Sequence, residues 1–347
     1  MSDALPDATA TTMPRTLFVR GPVFDVVMAW GWLPFFIWLC TTDLLTAPAT
    51  KAYRAAFATA MVAVLSVNFI HRHFVYLLFF GDRQRREQHR LATWAAPLAA
   101  IALATAAAFV PVVATAAAVI LGSWNVWHTL MQRHGLARAY AVSLSPVLAT
   151  QQHGRSELAV LWAATVTTAI AVMRFQTATF FGPARRVWET LPLSIRREPR
   201  IFTALLVVSA AVTAVLVWRW WRHERQAPVP AVWRWPRTSL LASTGALLLV
   251  FVVAGPIVGY IVFGFAHAVE YILFAHAFSR RQASRGPIAR GPGLLAAPLG
   301  LTIVSAVLLA TFALAWPVWN TRLFIFYFTT TSLLHYIYDG LIWRRKR

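Results

Sequence analysis

The sequence predicts an all-α, polytopic transmembrane helical bundle, and three features of its 347 residues predict it. Hydrophobic residues make up 59% of the chain, with 16 Trp, 23 Phe and a mean hydropathy of +0.59, more than a soluble domain of this size carries. The apolar residues fall in runs of roughly 20, the length that crosses a bilayer as a helix. Finally, 32 Lys and Arg against 12 Asp and Glu give a net charge of +20, and the arginines gather in short loops between the runs, as in loops retained on the cytoplasmic side. Basic residues that flank spans, rather than forming one groove-facing stripe, argue against nucleic acid as a partner.

Residues 1–20 are polar and Ala/Thr-rich without an apolar centre, so they are expected to be a disordered tail with no cleavable signal. Residues 21–347 then form a single transmembrane domain of about ten spans. The first, near 22–45, holds the lone cysteine, Cys40, which excludes an intramolecular disulfide framework. The second, near 54–80, ends at the basic loop Arg83 to Arg90. Spans near 92–110 and 112–135 are separated by Pro111, which cannot continue a helix, and the second ends at the loop Arg133 to Arg155. Spans near 156–181 and 200–221 flank a segment carrying Arg185, Arg186, Arg196, Arg197 and Arg200. After the loop Arg219 to Arg237, the pair Gly255-Pro256 divides spans near 238–255 and 257–279. The loop Arg280 to Arg290 leads to the last two, near 294–316 and 321–343, and the tail Arg344 to Arg347. With the N-terminus inside, all the basic loops except Arg185 to Arg200 come out cytoplasmic, as does the C-terminus. The chain is therefore expected in the cytoplasmic (inner) membrane, with the exceptional loop re-entrant or interfacial, or a span near it miscounted.

Four of these spans each carry a histidine with a polar partner three or four positions away: Asn68 with His71, Asn125 with His128, His267 with Glu270, and His335 with Asp339. Such spacing puts both members on one helix face, where one can hold the other's ring. The spans are the second, fourth, eighth and tenth, so all four run the same way, and their histidines share one layer if the His128 helix continues toward Tyr140. Glu270 and Asp339 are the acidic side chains well inside a span, where a carboxylate needs a partner or a cavity. Ser66-Val67-Asn68-Phe69-Ile70-His71 and Ser123-Trp124-Asn125-Val126-Trp127-His128 share the pattern Ser-x-Asn-x-x-His, a weak internal echo.

His71, His128, His267 and His335 are thus the expected metal ligands and catalytic centre. Glu270 and Asp339 would accept imidazole N–H bonds or ligate a second ion, Asn68 and Asn125 would orient the first two rings, and Gln132, Tyr76 and Tyr271 would stand nearby. His73, His134 and His276 point elsewhere by helical phase, and His89, His153 and His223 fall in basic loops. A lone intramembrane histidine is as often an interhelical hydrogen-bond donor, and the same groups could form a proton or substrate pathway. Zinc, copper, manganese and iron all accept imidazole; histidines with carboxylates and no thiolate suit non-heme Fe2+ best, and the single Cys rules out thiolate-bound zinc and iron–sulfur clusters.

The polytopic plan with one histidine on each of several helices, and the late motif His335-Tyr336-Ile337-Tyr338-Asp339, resembles the bacterial and archaeal membrane carotene dioxygenases related to bacterioopsin-related protein. The resemblance implies a non-heme iron held by His71, His128, His267 and His335, and cleavage of a polyene with O2. It rests on those positions and covers no continuous stretch. A Pro-His-Gly-x-x-Asp element of that family and the histidine boxes of membrane desaturases are absent. The expected substrate is a carotenoid or other lipid-soluble molecule delivered from membrane lipid.

Two rival readings use the same residues. A b-type heme protein would clamp porphyrin between histidines, although no span carries the two widely spaced ligands of stacked bis-histidine hemes. A proton- or ion-coupled transporter would relay protons through the histidines, Glu270 and Asp339; the parallel echo is not an inverted repeat, and no phosphate-binding loop is present. No loop is long enough to hold flavin or nicotinamide, so an oxygenase here needs no external electrons or borrows a separate electron donor.

Overall fold

A computed structural model describes residues 21–45, 50–177, 185, 188–190, 192–196, 198–284, 290–318 and 320–343. The expected N-terminal tail, Arg186, Arg197 and Arg344 to Arg347 lie outside the described residues. Among the described residues every regular element is helical. In chain order they are α1 (Pro22–Trp30), α2 (Leu33–Cys40), α3 (Lys51–Phe80), α4 (Arg83–Gln88), α5 (Arg90–Phe109), α6 (Pro111–Leu144) and α7 (Gln151–Phe175). There follow α8 (Leu193–Arg196), α9 (Pro199–Gln226), α10 (Ala231–Val253), α11 (Gly255–Ala283), α12 (Arg290–Ala296), α13 (Pro298–Ala315) and α14 (Thr321–Trp343).

The breaks fall where the backbone chemistry demands them. Val110, extended at φ −116° and ψ 106°, precedes Pro111, which starts α6 with a missing N–H that a first turn does not need. Gly255 opens α11 at φ 83°, a conformation that L side chains resist, and Pro256 follows it. The Thr50 hydroxyl caps α3 by accepting the Tyr53 N–H at 3.0 Å.

Eight helical segments are long and apolar enough to cross a membrane. Two more helices, α6 and α14, coincide with sequence-expected spans but carry more polar side chains, among them Asn125, His128, Gln132 and Arg133 on α6 and His335 and Asp339 on α14. The expected cytoplasmic loops are shorter than the sequence reading placed them. Helix α6 runs 34 residues to Leu144 and takes in Arg133, His134 and Arg138, while α9 and α10 extend to Gln226 and back to Ala231. Arg, Gln and Ala continue a helix as readily as Leu does, so the change from apolar to basic residues marked no helix end there.

Helix α11 is the most enclosed, with 61% of its apolar stretch buried, and α9 and α13 the least, at 6% each. Leu205, Val207, Val208 and Val212 on α9 and Leu299, Ile303 and Val307 on α13 are exposed. Apolar outer faces of that extent suit a lipid surrounding or a partner surface.

Contacts between the histidine-bearing helices fix their direction. Along α3 and α14, Phe69 meets Tyr327, Arg72 meets Thr331 and Phe79 meets Tyr338. Along α6 and α11, Asn125 meets Tyr260, His128 meets His267 and Arg133 meets Glu270. Along α3 and α11, Asn68 meets Gly264 and His71 meets Tyr271. Numbers rise together in every pair, so α3, α6, α11 and α14 are parallel, as the sequence predicts. Helix α5 runs the other way beside α14, with Ala92 beside Tyr338 and Phe109 beneath Arg322. Apolar clusters lie on both sides of the histidines. One contains Trp32, Val64, Leu247 and Val262, and the other Phe74, Phe79, Tyr271 and Tyr338.

Candidate metal centre

His71, His128, His267 and His335 converge in the middle of the four parallel helices, and none is more than 8% exposed. Ring centroids are 4.3 Å apart for His71 and His335, 4.6 Å for His71 and His267, and 5.1 Å for His128 with either His267 or His335. His335 is the hub: its Nε2 lies 3.2 Å from Nε2 of His71 and 3.3 Å from Nε2 of His128. Metal–nitrogen bonds of about 2.0–2.1 Å at tetrahedral angles put neighbouring ligand nitrogens about 3.3 Å apart. The observed spacing therefore matches the edge of such a coordination shell.

Two overlapping sets of ligand atoms lie within 4.8 Å of one another, His71 with His267 and His335, and His128 with His335 and Asp339. Both nitrogens of His267 and Nδ1 of His71 and of His335 are buried without a hydrogen-bond partner among the described residues. A buried polar group left so costs about 1–3 kcal/mol, which a bound ion would offset at the nitrogens that face inward.

Asp339 lies at the histidine layer but beside His128 rather than holding His335, its expected partner, whose Nδ1 has no hydrogen-bond partner among the described residues. Its Oδ2 is 3.4 Å from His128 Nε2, and its Oδ1 accepts the Trp343 indole N–H at 2.5 Å. Glu270 does not hold an imidazole as expected. It is paired with Arg133, whose Nε donates to Oε2 at 3.1 Å and whose Nη2 donates to Oε1, while Nη1 donates to Thr244 Oγ1 at 2.9 Å. The carboxylate shares the His267 face, but a guanidinium on α6 is the stronger partner.

The asparagines are also reassigned. Asn68 Nδ2 donates to the carbonyls of Val64 and Gly264, at 2.9 and 3.3 Å, and so ties α3 to α11 rather than orienting His71. Asn125 meets Tyr336 and Tyr260, its Oδ1 accepting the Tyr336 hydroxyl at 3.3 Å. The shared Ser-x-Asn-x-x-His pattern thus carries two different jobs. Asn68→Ala is expected to leave metal content unchanged and to cost about 0.6 kcal/mol, the mean for such interhelical bonds, read as a small loss of thermal stability in detergent.

Gln132, one turn beyond His128, is half-buried, and its two side-chain polar atoms are enclosed without a partner among the described residues. The Tyr271 ring meets His71 edge-on at 4.9 Å, and the Tyr76 hydroxyl donates to the Thr331 carbonyl at 3.2 Å. The other histidines fall outside the centre, as helical phase predicts: His73 Nδ1 meets the Phe69 carbonyl and His276 Nδ1 the Leu295 carbonyl.

His134 and His153 belong to a buried network that sequence reasoning missed, having assigned His153 to a basic loop. His134 meets Glu157 at 3.1 Å, His153 meets Glu224 at 2.9 Å, and Arg237 donates to both carboxylates. The network joins α6, α7, α9 and α10 away from the four-histidine cluster. A signal was present, since Glu157 and Glu224 lie in helices otherwise rich in apolar residues.

Comparison of the chain with family models, with curated proteins and with solved structures finds no match.

Proposed function

We propose that this chain is a multi-pass metalloenzyme of the cytoplasmic membrane, a non-heme iron oxygenase that acts with O2 on a carotenoid or other lipid-soluble substrate. The observation that carries the reading is the convergence of four buried imidazoles, three with nitrogens 3.2 and 3.3 Å apart and the fourth, His267, within 4.8 Å of His71 and His335 and with both nitrogens unpartnered among the described residues. In this reading all ten sequence-expected spans cross the bilayer with both termini cytoplasmic, α6 and α14 included because polar side chains that face a centre need not face lipid.

His71, His128, His267 and His335 would hold the ion, and Asp339 would add a carboxylate beside His128. Iron bound there supplies the redox chemistry that makes O2 reactive toward an unsaturated chain. The protein's own residues prepare the surroundings. The apolar clusters on either side of the histidine layer exclude water. The Arg133–Glu270 pair fixes α6 against α11, and with them His128 against His267. Trp343 steadies Asp339 through the indole N–H. A dioxygenase-type reaction, with both oxygen atoms entering the substrate, needs no external electrons and is favoured over one that draws on a separate electron donor.

A b-type heme is the weaker reading. The nitrogens of His71 and His128 both lie within 3.3 Å of His335 Nε2, which leaves no room for a macrocycle between those rings.

Oxygen uptake by iron-loaded protein in detergent, with carotenoids and unsaturated lipids supplied in turn, tests the proposal. Substrate-dependent uptake is expected; stable iron binding with no uptake on any of them would overturn the oxygenase assignment. Asp339→Asn is expected to weaken metal affinity about ten- to a hundredfold, measured by competition with a chelator.

A further inference from the structure

Arg72 follows His71 on α3, a 30-residue helix of membrane-spanning length, and is only 9% exposed. A buried guanidinium in apolar surroundings is costly unless an opposite charge meets it. The two other deeply buried arginines have such partners: Arg133 has Glu270, and Arg237 has Glu157 and Glu224. Arg72 has no carboxylate within ion-pair distance among the described residues. Its Nη1 donates to Thr331 Oγ1 at 3.0 Å and its guanidinium lies 4.5 Å from the Phe328 ring centroid. One hydroxyl and one aromatic face leave most of the guanidinium's N–H donors unused.

The cation lies close to the centre along the helices: Arg72 directly follows His71 on α3, and Thr331, to which it donates, stands one turn before His335 on α14. Phe324, Tyr327 and Phe328, half-buried on α14, form an aromatic wall beside it, Phe328 under the guanidinium and stacked on Phe324, and Tyr327 stacked on Phe69 of α3. If a divalent ion occupies the site, neutral imidazoles and one carboxylate leave the core with excess positive charge, to which Arg72 adds.

We infer that Arg72 recognises the carboxylate of a long-chain apolar acid, holding that anionic head while the chain lies against the aromatic wall beside the imidazole centre. A planar guanidinium fork matches a carboxylate, and a cation placed in an apolar wall selects an amphiphile over a neutral hydrocarbon. The inference names the substrate class of the proposed oxygenase and rests on that reading for the fate of the acid, but the binding step itself needs no metal.

The test measures binding of oleate and of methyl oleate to the detergent-purified full chain, before and after chelator treatment, with metal content measured on the same samples. A charge-assisted contact of about 1.5–3 kcal/mol predicts at least about tenfold tighter binding of oleate than of its ester. That preference is expected with and without chelator, to vanish in Arg72→Gln and to survive in part in Arg72→Lys. Equal binding of acid and ester by the wild-type chain would overturn the inference without reliance on any variant. So would an undiminished preference in Arg72→Gln, or acetate competing as well as oleate, which would mark a small-anion site. An acid preference in protein that never binds metal would keep the inference and sink the oxygenase; metal binding without the preference would do the reverse.

Discussion

Replacing His335 by alanine is expected to abolish metal binding, with a larger loss than any other single substitution in the chain. His335 belongs to both ligand sets, and its Nε2 neighbours those of His71 and His128. His267→Ala removes a ligand from one set only. His223→Ala, at an exposed position of α9, should be silent, and His73→Ala should cost the bond to the Phe69 carbonyl without changing metal content. Metal analysis of these four variants, purified in parallel at matched expression, checks the order. Equal, mild effects at all four positions would show the histidines to be packing groups.

The second large effect falls on stability. Arg133 and Glu270 are respectively 0% and 1% exposed at the side chain, and they pair across α6 and α11. Removing one partner strands the other charge in an apolar core, at a cost of about 3–5 kcal/mol, whereas replacing both by apolar residues of similar volume is often tolerated. Glu270→Ala and Arg133→Ala should each lower the unfolding temperature in detergent sharply, and the double variant Arg133→Met with Glu270→Leu should recover much of the loss. If Glu270 instead served an imidazole, the double variant would be no more stable than Glu270→Ala and would lose metal with it.

Much of this arrangement is legible in the chain before folding. Apolar length and the breaks at Pro111 and Gly255-Pro256 place the helices, and their number and order make the four histidine-bearing helices parallel. Parallel direction and similar depth then put His71, His128, His267 and His335 in one layer, because each ring needs only its own helix's phase and register to be placed. The partners of Asn68 and Glu270 are not legible in the same way. Spacing of three or four residues says which side chains share a face, but not which neighbouring helix offers the better acceptor or cation. For Asn68 the Gly264 carbonyl is that acceptor, and for Glu270 the Arg133 guanidinium is that cation. Arg133 itself was hidden by composition, since a basic residue near the expected end of a span reads as a loop residue, yet α6 continues past it to Leu144. The Glu157–Arg237–Glu224 network escaped for the same reason, lying at helix ends where charge is ordinarily solvated. Arg72 is different: that no carboxylate among the described residues pairs with it is visible only once the neighbouring helices are in place.

The most direct test of the central claim is the metal content of the detergent-purified protein, taken together with its visible absorption spectrum. A metal centre built on the four histidines predicts about one or two iron atoms per chain and no Soret band, two being accommodated only if His128 and Asp339 serve a second ion. Protein that takes up neither iron nor any other divalent ion would contradict it and leave the cluster to proton transfer or packing. A Soret band would replace non-heme iron by heme.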